Sequence, residues 1–173
     1  RWPVNLPGTL RGLAHEGALL YTVGSHWVDE TNVVSDGREW LDASAYDGVE
    51  VHLVDSLELP QIWPRPLLVK APDVFLGRAS ATDASESRLE SWGLSSEGKF
   101  ILRGEVMLSA AAQELAVFGD LLAVQTGRTL DLWNAANPAQ PARLGSGELP
   151  GCLGINLPAA DGSADRGLWL PLG

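Results

Sequence analysis

Three histidines and one cysteine are the residues of this sequence best suited to catalysis or zinc binding. His15, His26 and His52 are far apart along the chain, and Cys152 is the single cysteine. One cysteine forms no intrachain disulfide, and no Cys–His zinc spacing is present. The sequence also lacks the Gly-x-Ser-x-Gly turn of a hydrolase and a glycine-rich phosphate loop. We therefore predict a protein that is not an enzyme, without a cofactor.

The segment 161–165 has the spacing that comes nearest to a metal site. Asp161, Ser163 and Asp165 carry oxygen atoms at alternate positions, which Ca²⁺ can use. A calcium loop needs further ligands, including a bidentate acid downstream, and Arg166 follows instead. We interpret the segment as a solvated hairpin loop, with calcium binding as the weaker alternative.

The charge balance excludes several partners. The 173 residues carry 12 Lys and Arg against 22 Asp and Glu, a formal net charge of −10. The basic residues are scattered singly, so no stripe exists that could neutralise phosphates, and we expect no nucleic-acid binding. No apolar run approaches the ~20 residues of a transmembrane helix, so we expect no membrane span.

Short apolar runs separated by turns indicate an all-β fold. The 19 glycines and 11 prolines are spread along the chain, and the runs between them have four to seven residues. The segment 106–117 contains the run Ala110-Ala111-Ala112, but it lacks an amphipathic stripe of helical length. We expect a turn of helix or an irregular connection there.

The predicted strands repeat in groups of four, which we call A, B, C and D. In the unit 114–145 the A–B turn is Gly119-Asp120 and the C–D turn is Asn137-Pro138. In the first unit we place strand C at 49–55, after an insertion at 25–47. When the C strands are aligned through Val51, Leu89 and Leu130, successive units are offset by 38 and 41 residues. Such a period of four strands is typical of a β-propeller blade, with an irregular β-sandwich as the alternative.

The blade count predicts an incomplete propeller. The approximate blades are 10–64, 65–108, 112–149 and a partial blade at 150–173, with a leftover strand at 1–7. Propellers close with typically four to eight blades. We therefore expect about three and a half blades of a larger propeller, whose remainder would be the partner of this segment. A small four-bladed propeller with missing strands is the alternative.

The third unit resembles the LVIVD-type repeat of bacterial secreted and cell-surface β-propellers. The residues that carry the resemblance are Leu115-Ala116-Val117-x-Gly119-Asp120, Leu130-Asp131-Leu132-Trp133-Asn134 and Asn137-Pro138-x-x-Pro141. The match is fair in the first unit and poor at 66–108, where Ser95-Ser96-Glu97-Gly98 replaces the Asn-Pro turn. The resemblance implies a scaffold in the cell envelope or outside the cell. It carries no catalytic residues across.

The insertion between strands B and C is the best candidate for a binding surface. It holds His26, Trp27 and Trp40, and large aromatic residues are common anchors of recognition surfaces. The alternative is that this loop folds back and buries its tryptophans. Trp92 and Trp133 lie at equivalent places in strand C, and we expect them to pack between blades, with a stacked sugar or nucleobase as the alternative.

Together these observations predict a non-catalytic binding scaffold that recognises a protein or a glycan through its blade-top loops. Two alternatives stay open. The chain could be the C-terminal part of a propeller hydrolase or oxidoreductase whose active residues lie upstream, or a structural spacer in a large surface protein.

Overall fold

The computed structural model describes residues 8–25, 38–80, 82–83 and 86–149 of the chain. These residues form twelve strands and a 3-10 turn at His15–Gly17. The first four strands are β1 (Thr9–Ala14), β2 (Leu19–Gly24), β3 (Trp40–Tyr46) and β4 (Val51–Glu58). The next four are β5 (Leu67–Lys70), β6 (Asp73–Arg78), β7 (Arg88–Leu94) and β8 (Phe100–Met107). The last four are β9 (Glu114–Phe118), β10 (Leu121–Thr126), β11 (Thr129–Asn134) and β12 (Ala142–Glu148).

Each group of four strands forms one antiparallel sheet. The strand orders are β1-β2-β3-β4 in sheet 1, β5-β6-β7-β8 in sheet 2 and β9-β10-β11-β12 in sheet 3. Every strand therefore pairs with its neighbours in sequence, as in the blades of a propeller. The predicted all-β fold of four-stranded antiparallel blades is confirmed for these three sheets. The partial blade at 150–173 and the leftover strand at 1–7 lie outside the described residues.

The sequence prediction is wrong at the third strand of sheet 1. This strand is β3, which lies inside the predicted insertion at 25–47, and Val51 belongs to the outer strand β4. The strand β3 was missed because its buried residues include Asp42, Ala43 and Ser44, which do not form an apolar run. The insertion is therefore the shorter segment 25–39.

The chain divides into two compact units. Unit 1 contains the described residues up to Gln61, with Val69–Val74 and Gly93–Ile101 from sheet 2. Unit 2 contains Ile62–Leu68, Phe75–Trp92 and the described residues from Leu102 onward. Sheet 1 therefore belongs to unit 1, sheet 3 belongs to unit 2, and sheet 2 contributes residues to both.

The main apolar core of unit 2 lies on one face of sheet 3. Trp133 pairs in register with Leu122, and both pack with Phe75 and Leu89 of sheet 2. The expected packing role is confirmed for Trp133, which is 6% exposed. Trp92 differs, because its ring is half-buried and its Nε1 donates to a carboxylate oxygen of Glu90 at 2.9 Å.

A buried acid occupies the same position in the third strand of every sheet. The pairs Leu41-Asp42, Leu89-Glu90 and Leu130-Asp131 each start one residue after the strand begins. The three acids are only 0%, 4% and 2% exposed. A buried carboxylate is costly unless it is paired or hydrogen-bonded, so each blade needs a partner for its acid.

Candidate functional site

Two residues of the predicted binding loop, His26 and Trp27, lie outside the described residues. Trp40 is described and is the first residue of β3, where it pairs with Gly24 of β2 and Glu58 of β4. Its side chain is half-buried. The structure therefore places Trp40 at the end of the loop, on the sheet itself, and its part in binding stays a prediction.

The start of β3 and the end of β4 lie next to each other at one end of sheet 1. The backbone N–H of Leu59 donates to the carbonyl of Glu39 at 2.9 Å. Arg38 forms a 3.6 Å ion pair with Glu58, and both side chains are well exposed. Residues 38 and 39, which lead into β3, therefore lie beside residues 58 and 59 at the end of β4.

The strongest binding feature among the described residues is the segment 62–66, which precedes β5. Trp63 is 71% exposed and Ile62 is 41% exposed. The guanidinium carbon of Arg65 lies 4.6 Å from the centroid of the Trp63 ring, a cation–π arrangement. We call residues 62–66 the aromatic segment. It presents an indole to solvent with a cation stacked on it.

Sequence reasoning missed the aromatic segment, although a signal was present. Trp63 and Arg65 alternate with Pro64 and Pro66, and proline donates no backbone hydrogen bond to a neighbouring strand. A tryptophan between prolines is therefore hard to place in a sheet. That pattern predicts an aromatic residue on a connection rather than in a core.

The electrostatics of Arg65 follow from its surroundings. Burial lowers the pKa of the Arg65 guanidinium below its ordinary value. Arginine stays charged in proteins, so the side chain remains a cation that has lost part of its hydration. The face of the Trp63 indole offsets part of that loss, because its π electrons attract a cation.

The buried acids of the third strands form a second set of candidate groups. Glu90 accepts two hydrogen bonds from Arg78, at 2.6 and 3.1 Å. Asp131 accepts one from Arg143 at 2.6 Å. Asp42 accepts one from the hydroxyl of Ser56 at 2.7 Å. Since each acid is held by its own sheet, we assign these groups a structural role.

The described residues offer no metal centre. Among residues 8–25, 38–80, 82–83 and 86–149, no group of three or more His, Cys, Asp or Glu side chains is placed to hold an ion. The segment 161–165 lies outside this part of the chain. Within the same described residues no helix has the length and apolarity needed to cross a membrane.

Comparison with known proteins finds distant likeness among solved structures. No protein-family model matches the chain, and no curated protein matches it. Among solved structures, the chain is similar to a protein from Lactobacillus plantarum, with 13% identity and a TM-score of 0.39. The match covers 86% of this chain and 58% of that protein, so the chain spans little more than half of its length. A likeness this distant assigns no function.

Proposed function

We propose that the chain is a non-catalytic binding scaffold of a bacterial secreted or cell-surface protein, and that it recognises a protein or a glycan through its loops. The location follows from the resemblance of residues 114–141 to LVIVD-type repeats. The observation that carries the binding role is the exposed indole of Trp63 with Arg65 stacked on it.

The energetic argument concerns the apolar surface of Trp63. A tryptophan side chain buries about 150–250 Å² when it is covered, and Trp63 is 71% exposed. Covering the exposed part would remove more than ~100 Å² from water and contribute about 2–4 kcal/mol to binding. Tryptophan and arginine are also the residue types most enriched among interface residues that dominate affinity.

The chemistry of the aromatic segment suits recognition rather than turnover. An indole face stacks on the C–H face of a sugar ring or on an apolar side chain of a protein. Arg65 places a positive charge beside that face, which favours a ligand that carries a carboxylate or a hydroxyl group. Neither side chain takes up or releases a proton near neutral pH, so the pair binds without acid–base chemistry.

The test uses two probes, a glycan microarray and a phage-displayed peptide library. We expect the wild-type chain to select members of one of them, and Trp63→Ala to lower that binding at least about 30-fold, as expected for a loss of ~2 kcal/mol. Met107→Ala is the matched control, because Met107 is 56% exposed and lies outside the aromatic segment. Equal binding by Trp63→Ala and Met107→Ala would refute the assignment.

The predicted loop residues need their own test. We propose that Trp27, with His26 and Trp40, adds to the binding surface. Trp27→Ala and Trp40→Ala are each to be measured for binding and for melting temperature. Loss of binding at an unchanged melting temperature supports the proposal. A large fall in melting temperature shows instead that the tryptophans are packing anchors.

A further inference from the structure

A contact between a strand-connecting turn and the outer strand of another sheet occurs within unit 1. The Asp55 carboxylate of β4 accepts hydrogen bonds from the backbone N–H of Phe100 at 2.7 Å and from Lys99 Nζ at 3.1 Å. Gly98, in the same turn between β7 and β8, lies against Val54. A Cβ on Gly98 would be 2.9 Å from Val54 Cγ1. The third-to-fourth-strand turn of sheet 2 therefore rests on β4 of sheet 1.

The same kind of contact occurs within unit 2. Here the turn between β11 and β12 of sheet 3 rests on sheet 2. The Ser91 hydroxyl of β7 donates to the carbonyl of Pro138 in this turn. Gly104 of β8 lies so close that a Cβ on it would collide with the carbonyl oxygen of Ala139. We call this contact of a turn with an outer strand the blade joint.

A β-bulge marks the receiving position on the outer strand. In sheet 1, Ala43 pairs with Asp55 and Ser44 pairs with Leu53, so Val54 is the extra, unpaired residue. In sheet 3, Leu132 pairs with Gly145 and Trp133 pairs with Arg143, so Leu144 is the extra residue. In both sheets the extra residue lies two positions before the partner of the buried acid, which is Ser56 for Asp42 and Ser146 for Asp131. Leu144 and Gly145 are therefore the counterparts of Val54 and Asp55.

The receiving half of the joint is uncovered on β12. Val54 is half-buried, whereas its counterpart Leu144 is 61% exposed. A Cβ on Gly145 would meet no atom within 4 Å. All seven residues of β12 are exposed. This strand thus presents an apolar side chain beside a glycine, and within the described part of the chain no turn rests on it as a turn rests on β4 and on β8.

The inserting half of the joint is uncovered on sheet 1. The turn between β3 and β4 contains Gly48 at φ +98°, and the inserting Gly98 has φ +76°. A Cβ on Gly48 would meet no atom within 4 Å, and the next residue, Val49, is 78% exposed. Asp47 Oδ1 accepts the backbone N–H groups of Val49 and Glu50, each at 2.8 Å, so the turn is held by its own hydrogen bonds.

We propose that a second copy of this chain completes the joint, with Gly48–Val49 of one copy resting on Leu144–Gly145 of the other. Gly145 permits the close backbone approach that Gly104 permits in unit 2. Arg143, which pairs with Asp131 in its own sheet, is also half-exposed beside Leu144, and the turn carries the exposed acids Asp47 and Glu50, so opposite charges would meet at this joint. Two different surfaces meet, so the association is head-to-tail.

The first experiment measures sedimentation of the wild-type chain over a range of concentrations. We expect concentration-dependent association. Leu144→Glu places a charge in the joint and is expected to weaken that association at least ~10-fold. Met107→Glu, an equally charged change at an exposed apolar residue of β8, leaves it unchanged. A monomeric wild type, or equal effects of the two variants, would overturn the proposal.

The second experiment distinguishes head-to-tail pairing from a symmetric contact. Val49→Glu damages the inserting half and Leu144→Glu damages the receiving half, so each variant alone is expected to be monomeric. A mixture of the two retains one intact joint, since the wild-type turn of one variant meets the wild-type strand of the other. We expect the mixture to associate. A mixture that stays monomeric overturns the head-to-tail assignment, and unchanged melting temperatures confirm that both variants are folded.

Discussion

Replacing Asp55 with alanine tests the filled joint in unit 1, and we expect it to lower the free energy of unfolding by about 2–4 kcal/mol. The side chain is only 19% exposed and accepts the 2.7 Å bond from Phe100 N–H. A hydrogen bond to a charged group contributes about 1.5–3 kcal/mol. Lys99 is 65% exposed, so its ion pair adds at most ~1 kcal/mol.

The same substitution has a pH signature. Burial acts to raise the pKa of Asp55, but the hydrogen bonds from Phe100 and Lys99 outweigh it and hold the pKa below its ordinary value of 3.8. A depressed folded-state pKa gives stability that is present above the unfolded-state pKa of about 3.9. This stability is lost as the pH falls through the folded value. The difference between wild type and Asp55→Ala should therefore shrink below about pH 4.

The assay is urea unfolding followed by tryptophan fluorescence, at neutral pH and in steps into the acid range. Lys99→Met is the control, since it removes the exposed ion pair and leaves the Phe100 hydrogen bond in place. We expect it to cost less than ~1 kcal/mol. If Lys99→Met destabilises as much as Asp55→Ala, or if the effect of Asp55→Ala is the same at every pH, the account of this joint is wrong.

Three further predictions concern the packing of unit 2, and urea unfolding tests each of them. Gly104→Ala should lower the free energy of unfolding by about 1–3 kcal/mol, because its Cβ would meet a backbone carbonyl. Gly145→Ala, measured at low protein concentration, should change it by no more than ~0.5 kcal/mol. Equal losses would contradict the joint. Arg78→Met should lower the free energy of unfolding by about 3–5 kcal/mol, because it leaves the Glu90 carboxylate without its ion-pair partner. Adding Glu90→Met to the same chain should recover most of that loss. If nothing is recovered, the ion pair is not the cause. Trp133→Ala should cost about 3–5 kcal/mol as a large deletion in the core, and a smaller loss would show that the core collapses around it.

The sequence predicted the strands of sheets 2 and 3 well because local signals bound each of them. Gly119 has φ +56° in the turn between β9 and β10. The Asn137 side chain accepts the N–H of Ala139 at 3.1 Å in the turn before β12. Such turns are encoded by a few adjacent residues. The exposure of Trp63 depends on how the segment 62–66 lies on the folded chain, which no strand pattern reports.

The misplaced strand of sheet 1 shows which signal defines a blade in this chain. An apolar run is ambiguous, because β4 mixes apolar and polar residues as an inner strand can, and its sequence therefore predicts strand C. The leucine–acid pairs Leu41-Asp42, Leu89-Glu90 and Leu130-Asp131 are more specific. A buried carboxylate is tolerated only where a neighbouring strand supplies a donor, and here Ser56, Arg78 and Arg143 do so. That requirement restricts the acid to one position in the blade.

Registering the blades on these pairs changes the repeat itself. The leucines of the pairs lie 48 and 41 residues apart, in place of the 38 and 41 obtained through Val51. The longer first interval contains the connection 79–87 between β6 and β7, whereas the second interval has only the short turn 127–128 between β10 and β11. The two bulges then fall at matching positions, two residues before the partners of Asp42 and Asp131. The acid, the bulge and the joint thus occupy fixed positions relative to one another in the blade. A substitution that moves the bulge should therefore disturb both its own sheet and the contact between blades.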